Sequence, residues 1–150
     1  MSIKIYSVKY TLGLADPEMP QPRYHTVIFA ETFPDGSGHI HHVTGDLVDG
    51  MSYQRKLGKN PQESQTFHQR IFLGTVPASS YPAQFDQICQ SQPPPPKQKS
   101  FNIKTMRTEQ VKPDGTFYAP GEPRPAMIKC TEWTEQQAIP ALYASGILTK

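Results

Sequence analysis

Two alternating runs, YHTVIFAE at residues 24–31 and GHIHHVT at residues 38–44, flank the turn formers Pro34, Asp35, Gly36 and Ser37. Apolar residues recurring every second position, bounded by such a loop, predict a pair of antiparallel strands. Folding them symmetrically about the loop sets His25 opposite His42, Val27 opposite Ile40 and Phe29 opposite Gly38. Side chains alternate along a strand, so these six share one face, apolar except for its two imidazoles. The other face carries Tyr24, Thr26, Ile28, His39, His41 and Val43 and is more mixed. Opposed residues have Cβ atoms about 5 Å apart, close enough for two histidines to act as one unit.

The rest of the chain adds strands before helices. Ile3 to Tyr10 reads as a first strand, with Tyr6, Val8 and Tyr10 on one side and Ile3 and Ile5 on the other. Residues 11–22 contain Gly13, Pro17, Pro20 and Pro22 and read as an irregular connection. Leu47 to Tyr53 reads as a short strand broken at Gly50, Arg55 to Gln65 as a polar loop, and Thr66 to Val76 as a strand. Ser80 is placed to cap a helix over Tyr81 to Gln90, with Phe85, Ile88 and Cys89 on its apolar stripe. Pro93 to Pro96 stop that helix. Phe101 to Met106 reads as a strand, and residues 109–125 as a loop with a turn at Lys112-Pro113-Asp114-Gly115. A last helix starts at Cys130 and ends at Gly146; Thr134 with Gln137 fits a capping box, so a bend or restart is expected before Pro140. The order predicts an α+β fold, a small antiparallel sheet packed with helices.

Cys130 heads the last helix among the polar residues Lys129, Thr131 and Glu132, off the apolar stripe of Trp133, Ile139 and Leu142. A helix start favours the thiolate, and an imidazole brought beside it makes a nucleophile and base. The competing reading is a buried structural thiol, and Cys89 on its apolar stripe is taken as that. His25 is the candidate base and His42 its orienter, with His41 the rival if the register differs. His39 and His41 share a strand face and raise the question of a metal, but no carboxylate or cysteine joins them at ligand spacing, so no metal and no cofactor is expected.

YHTVIFAE with His25, GHIHHVTGD with His42 and KCTEWTEQQAI with Cys130, in that order, resemble the circularly permuted NlpC-type papain fold of lecithin:retinol acyltransferase-like and PPPDE-like enzymes. The motifs cover about a quarter of the chain. The resemblance implies a single permuted papain-like domain over residues 1–150, with Cys130, His25 and His42 as the catalytic set and an acyl substrate. The asparagine usual before the cysteine is Lys129 here, and Pro140 lies within the helix. HVTGD and the terminal C-x-x-W-T segment also make the whole chain resemble a domain family of filamentous fungi that carries no known activity.

A length of 150 residues suits one domain with a modest core, since 36% of residues are hydrophobic and 16 are proline. The net charge of +2 comes from 15 basic and 13 acidic residues without a block of either sign, which gives no indication of nucleic acid. MSIKIYSVKY lacks the apolar run of a signal peptide, and no stretch is long enough to span a bilayer. Reduced thiols and a cytoplasmic location are therefore expected. Two functions follow: a thiol hydrolase or acyltransferase acting on a small-molecule or peptide acyl substrate, or a non-catalytic binding module on the same fold.

Overall fold

The computed structural model describes residues 1–12 and 24–150. Five strands, β1 (Ser2–Thr11), β2 (Tyr24–Glu31), β3 (Gly38–Asp46), β4 (Gly50–Gly58) and β5 (Phe67–Pro77), form one antiparallel sheet in the order β4-β3-β2-β1-β5. Helix α1 (Ala83–Gln90) follows, then a two-stranded hairpin, β6 (Lys99–Asn102) and β7 (Arg107–Gln110). The chain closes in a helical run of α2 (Cys130–Glu132), a π-helical segment (Trp133–Ala138) and α3 (Ile139–Ala144). The architecture is α+β. The connection expected over 11–22 lies, from residue 13 on, outside the described residues.

The alternation expected of the first strand is present: Ile3 and Ile5 contribute to one core cluster, Tyr6, Val8 and Tyr10 to another. The main core gathers Ile5, Ile28, Ala30, Val43, Phe85, Cys89, Trp133 and Leu142 between the sheet and the helices. Trp133 and Phe85 are fully buried there, each contributing the large apolar area that dominates such a core. The second cluster, Val8, Val27 and Phe29, lies on the sheet's other face.

The hairpin's register differs from the symmetric expectation by two residues. Ile28 pairs with His41, Phe29 with Ile40, Ala30 with His39 and Glu31 with Gly38. A two-residue slip preserves the faces, so His25 and His42 stay on one side while ceasing to be directly opposed. Gly38 helps hold this register. A Cβ built there would lie 1.9 Å from the Ala30 carbonyl oxygen and 2.8 Å from the Thr32 nitrogen, so the backbones meet where no side chain fits.

Several element boundaries also moved. The segment expected as a loop from Arg55 begins as strand, because β4 runs to Gly58 with Arg55, Lys56 and Leu57 paired to β3 at the sheet edge. Polar residues suit a strand with one face in solvent. Ser80 makes no cap; it ends a 3₁₀ turn, and α1 starts at Ala83. The strand expected over 101–106 is a hairpin that turns there, with Met106 at φ 59°.

The closing helix continues through Pro140. Proline lacks an N–H and its ring collides with the carbonyl four residues back. The π-helical segment just ahead absorbs this by widening the helix, with the Ile139 N–H bonding to the Thr134 carbonyl five residues earlier. The expected Thr134–Gln137 capping box is absent. The Lys129 N–H instead donates to Glu132 Oε1 at 2.8 Å, so the cap sits at the head of α2. The helix ends at Gly146 with φ 84°, as the sequence predicts.

Candidate functional site

His25 and His42 come together. His25 Nε2 lies 3.0 Å from His42 Nδ1, with the rings edge to face. His42 Nε2 lies 3.3 Å from Gln54 Oε1, which reaches across from the opposed position on β4. An amide oxygen only accepts, so His42 carries its proton on Nε2. Neutral His42 then accepts at Nδ1, and His25 donates from Nε2. The chain of bonds leaves His25 Nδ1 unprotonated, with a lone pair to offer. Gln54 is absent from the sequence reading; its only signal is an amide placed on the histidine face of an edge strand.

Both imidazoles are electrically suppressed. Burial, and next the charge of His25, push His42 down to about 4. Burial, with Lys56 nearby, lowers His25. Both are neutral at pH 7, the form that can accept a proton.

Cys130 is buried, 8% exposed, and belongs to the main core. Its thiol donates to the Tyr24 carbonyl at 3.8 Å, a long contact even for sulfur, and no hydrogen bond joins it to either imidazole. The reason lies in the strand pairing. Regular pairing of β2 with β3 stops at Ile28 and His41, while β1 pairs β2 back to Tyr24. The head of the helical run occupies the freed stretch. Thr131 Oγ1 donates to the Tyr24 carbonyl at 3.2 Å, so Thr26 Oγ1 donates to Thr131 Oγ1 at 2.7 Å. Thr134 Oγ1 donates to the Thr26 carbonyl at 3.1 Å. These bonds seat Cys130 beside the residue that precedes His25. The imidazole pair and the thiol thus approach β2 from different sides: His25 shares a face with Val27, while Cys130 packs with Ile28.

An open cavity of about 470 Å³ lies on the histidine side. His25, His42, Val27, Ile40, Lys56 and Lys59 are among its walls, and Cys130 is not.

His41, the rival orienter, points into the core and is fully buried. Tyr53 Oη donates to Asp86 Oδ1 at 2.7 Å and so receives the His41 Nδ1–H; the Tyr81 hydroxyl donates to His41 Nε2 at 2.8 Å. Arg55 closes the network on Asp86 Oδ2 at 2.7 Å. Burial lowers His41, with Asp86 opposing. Every nitrogen is satisfied, so the network ties β3 and β4 to α1. Cys89 sits in the same core, and burial pushes its thiol up to about 12, which makes it unreactive. Among the described residues, no group of three or more His, Cys, Asp or Glu is placed to hold a metal. No helix among them is long and apolar enough to cross a membrane.

Residues 12–149 match the model of DUF6540, a family of unknown function, and the chain belongs to that family. No curated protein and no solved structure matches it.

Proposed function

We propose that the protein is a cysteine-dependent acyl-transfer enzyme, a hydrolase or acyltransferase, on a permuted papain-like variant of the α+β fold. The observation that carries this reading is the Gln54–His42–His25 chain of hydrogen bonds. Its direction leaves an unprotonated Nδ1 on His25, the residue next to the carbonyl that holds the Cys130 thiol.

In the reaction, the Cys130 side chain turns from the Tyr24 carbonyl toward the His25 side of β2, its S–H proton passes to His25 Nδ1, and His42 stabilises the imidazolium through its Nδ1 acceptor. The sulfur attacks an ester, thioester or amide carbonyl of a small-molecule or peptide substrate. The C–S bond forms, the bond to the leaving group breaks, and the leaving group takes the proton from His25. Water, or an amine or alcohol acceptor, then attacks the thioester with His25 again as base. The acyl group leaves as acid, amide or ester, and the thiol is restored. Backbone N–H groups in the first turn after Lys129 are the candidate oxyanion donors. A nucleophilic thiol of this kind suits a reducing compartment such as the cytoplasm.

The test is alkylation of Cys130 by iodoacetamide from pH 4 to 10, beside His25→Ala, with intact-mass detection of an acyl adduct from activated esters. Labelling well below the ordinary thiol range, slowed by His25→Ala, together with an adduct lost in Cys130→Ser, supports the enzyme. Labelling only near the free-thiol value of about 8.5, unchanged in the variant, overturns it.

A specific observation favours a second reading, a non-catalytic binding module. The thiol is buried and does not line the cavity that the histidines open onto. On that reading the cavity binds ligand and Cys130 only packs.

A further inference from the structure

We infer that the cavity beside His25 and His42 binds a small amphipathic carboxylate, a single anionic head on an apolar chain or ring. The cavity, about 470 Å³, is of the size that holds small organic ligands. Its walls divide by chemistry. Val27, Ile40 and Pro61 supply apolar surface, and Lys56 and Lys59 supply two cations. No aspartate or glutamate is among the described residues that line it.

The strand register places these groups. Lys56 is opposite Ile40, and Gln54 opposite His42, so the ammonium stem, the apolar wall and the imidazole share one face of adjacent strands. Gly58 opens the space further: a Cβ there would lie 2.8 Å from Ile40 Cδ1, so its absence leaves that side chain free to form wall. Lys56 acts on both imidazoles, disfavouring their protonation. An uncharged imidazole beside a lysine cation leaves positive charge to attract an anion. A neutral chain would leave the lysine charges unused. A doubly charged phosphate would gain little from walls that are mostly apolar.

Assigning this ligand to the acyl part of the substrate rests on the thiol chemistry proposed above; the binding itself does not. The experiment therefore uses Cys130→Ala, which removes the thiol and keeps the cavity. Sodium octanoate, acetate, octan-1-ol and inorganic phosphate are titrated while the ring signals of His25 and His42 are followed by NMR. Octanoate is expected to shift both rings and to bind at least about tenfold tighter than acetate, since its further methylenes are buried against the apolar wall. It is expected to exceed octan-1-ol by about tenfold, the worth of one charge-assisted contact, and to lose that margin in Lys56→Gln, an exposed position. Equal binding of octan-1-ol shows that no head group is read and overturns the inference. Acetate or phosphate matching octanoate overturns it too, as does the absence of any ring shift. Octanoate binding without an acyl adduct on the unmodified chain would sink the enzyme and leave the cavity's assignment standing; an adduct without octanoate binding would do the reverse.

Discussion

The Cys130 sulfur donates to the carbonyl oxygen of Tyr24, the residue immediately before His25, at 3.8 Å. A backbone carbonyl is a partner for a thiol and a poor neighbour for a thiolate. That carbonyl, and neither imidazole, is the hydrogen-bond partner of the sulfur. Iodoacetamide should label Cys130 below the ordinary thiol range, and faster still once an acyl substrate analogue is bound, with Cys89 silent under both conditions. Acceleration is read by mass spectrometry of the two cysteine peptides. Equal labelling of both thiols would place Cys130 with the structural cysteines.

Gln54 is expected to order the imidazoles. In Gln54→Leu the His42 Nε2–H loses its acceptor, so both rings sample mixed tautomers. Ring ¹⁵N shifts should show His25 and His42 protonated at Nε2 in the parent and averaged in the variant. Labelling of Cys130 at pH 7 should fall about threefold, the worth of one part-buried hydrogen bond. Unchanged tautomers would remove Gln54 from the relay.

Acid should destabilise the fold through His42. Its folded value is about 4 against 6.5 in the unfolded chain. As pH falls, the unfolded chain takes up the proton first. The stabilisation is whole above pH 6.5 and drains away between 6.5 and 4, on the order of 3 kcal/mol in all. Urea unfolding at pH 7.5 and 4.5 measures it, and His42→Gln should flatten the dependence. A variant with the parental pH slope would assign the loss elsewhere.

Thr134 docks the helix onto β2 through a fully buried hydroxyl. Thr134→Val keeps the shape and strands the Thr26 carbonyl, at a cost of about 1–3 kcal/mol. At about 2–4 °C per kcal/mol for a chain of this size, the loss is visible in thermal unfolding. Labelling of Cys130 should rise as the helix head loosens; protection unchanged with a lowered Tm would show that Thr134 stabilises the fold without holding the thiol.

Gly38→Ala drives a Cβ into the Ala30 carbonyl. The backbones must part, costing about 1–3 kcal/mol or more. The His25–His42 contact should go with them, seen as loss of the ring coupling by NMR. A variant with native stability and an intact pair would show that the hairpin register is held elsewhere.

Periodicity alone determined the sheet strands β1, β2, β3 and β5, the sharing of one face by His25 and His42, the core role of Cys89 and the stop at Gly146. These are properties of neighbours in sequence: a period of two survives any even slip, and a glycine with positive φ is a local matter. Only the tertiary structure decided the rest. The hairpin register shifted by two because the close approach at Gly38 and the pairing to β4 outweigh loop symmetry. His41 turned inward because Tyr53, Tyr81 and Asp86, from β4, the turn ahead of α1 and α1 itself, satisfy it there. Pro140 stayed within the helix because a π turn gave it room. Gln54 met His42, and Cys130 met the Tyr24 carbonyl, through contacts 12 and 106 residues apart. Side chains that distant along the chain carry no mutual pattern; their meeting is set by which strand ends leave carbonyls for a helix to take.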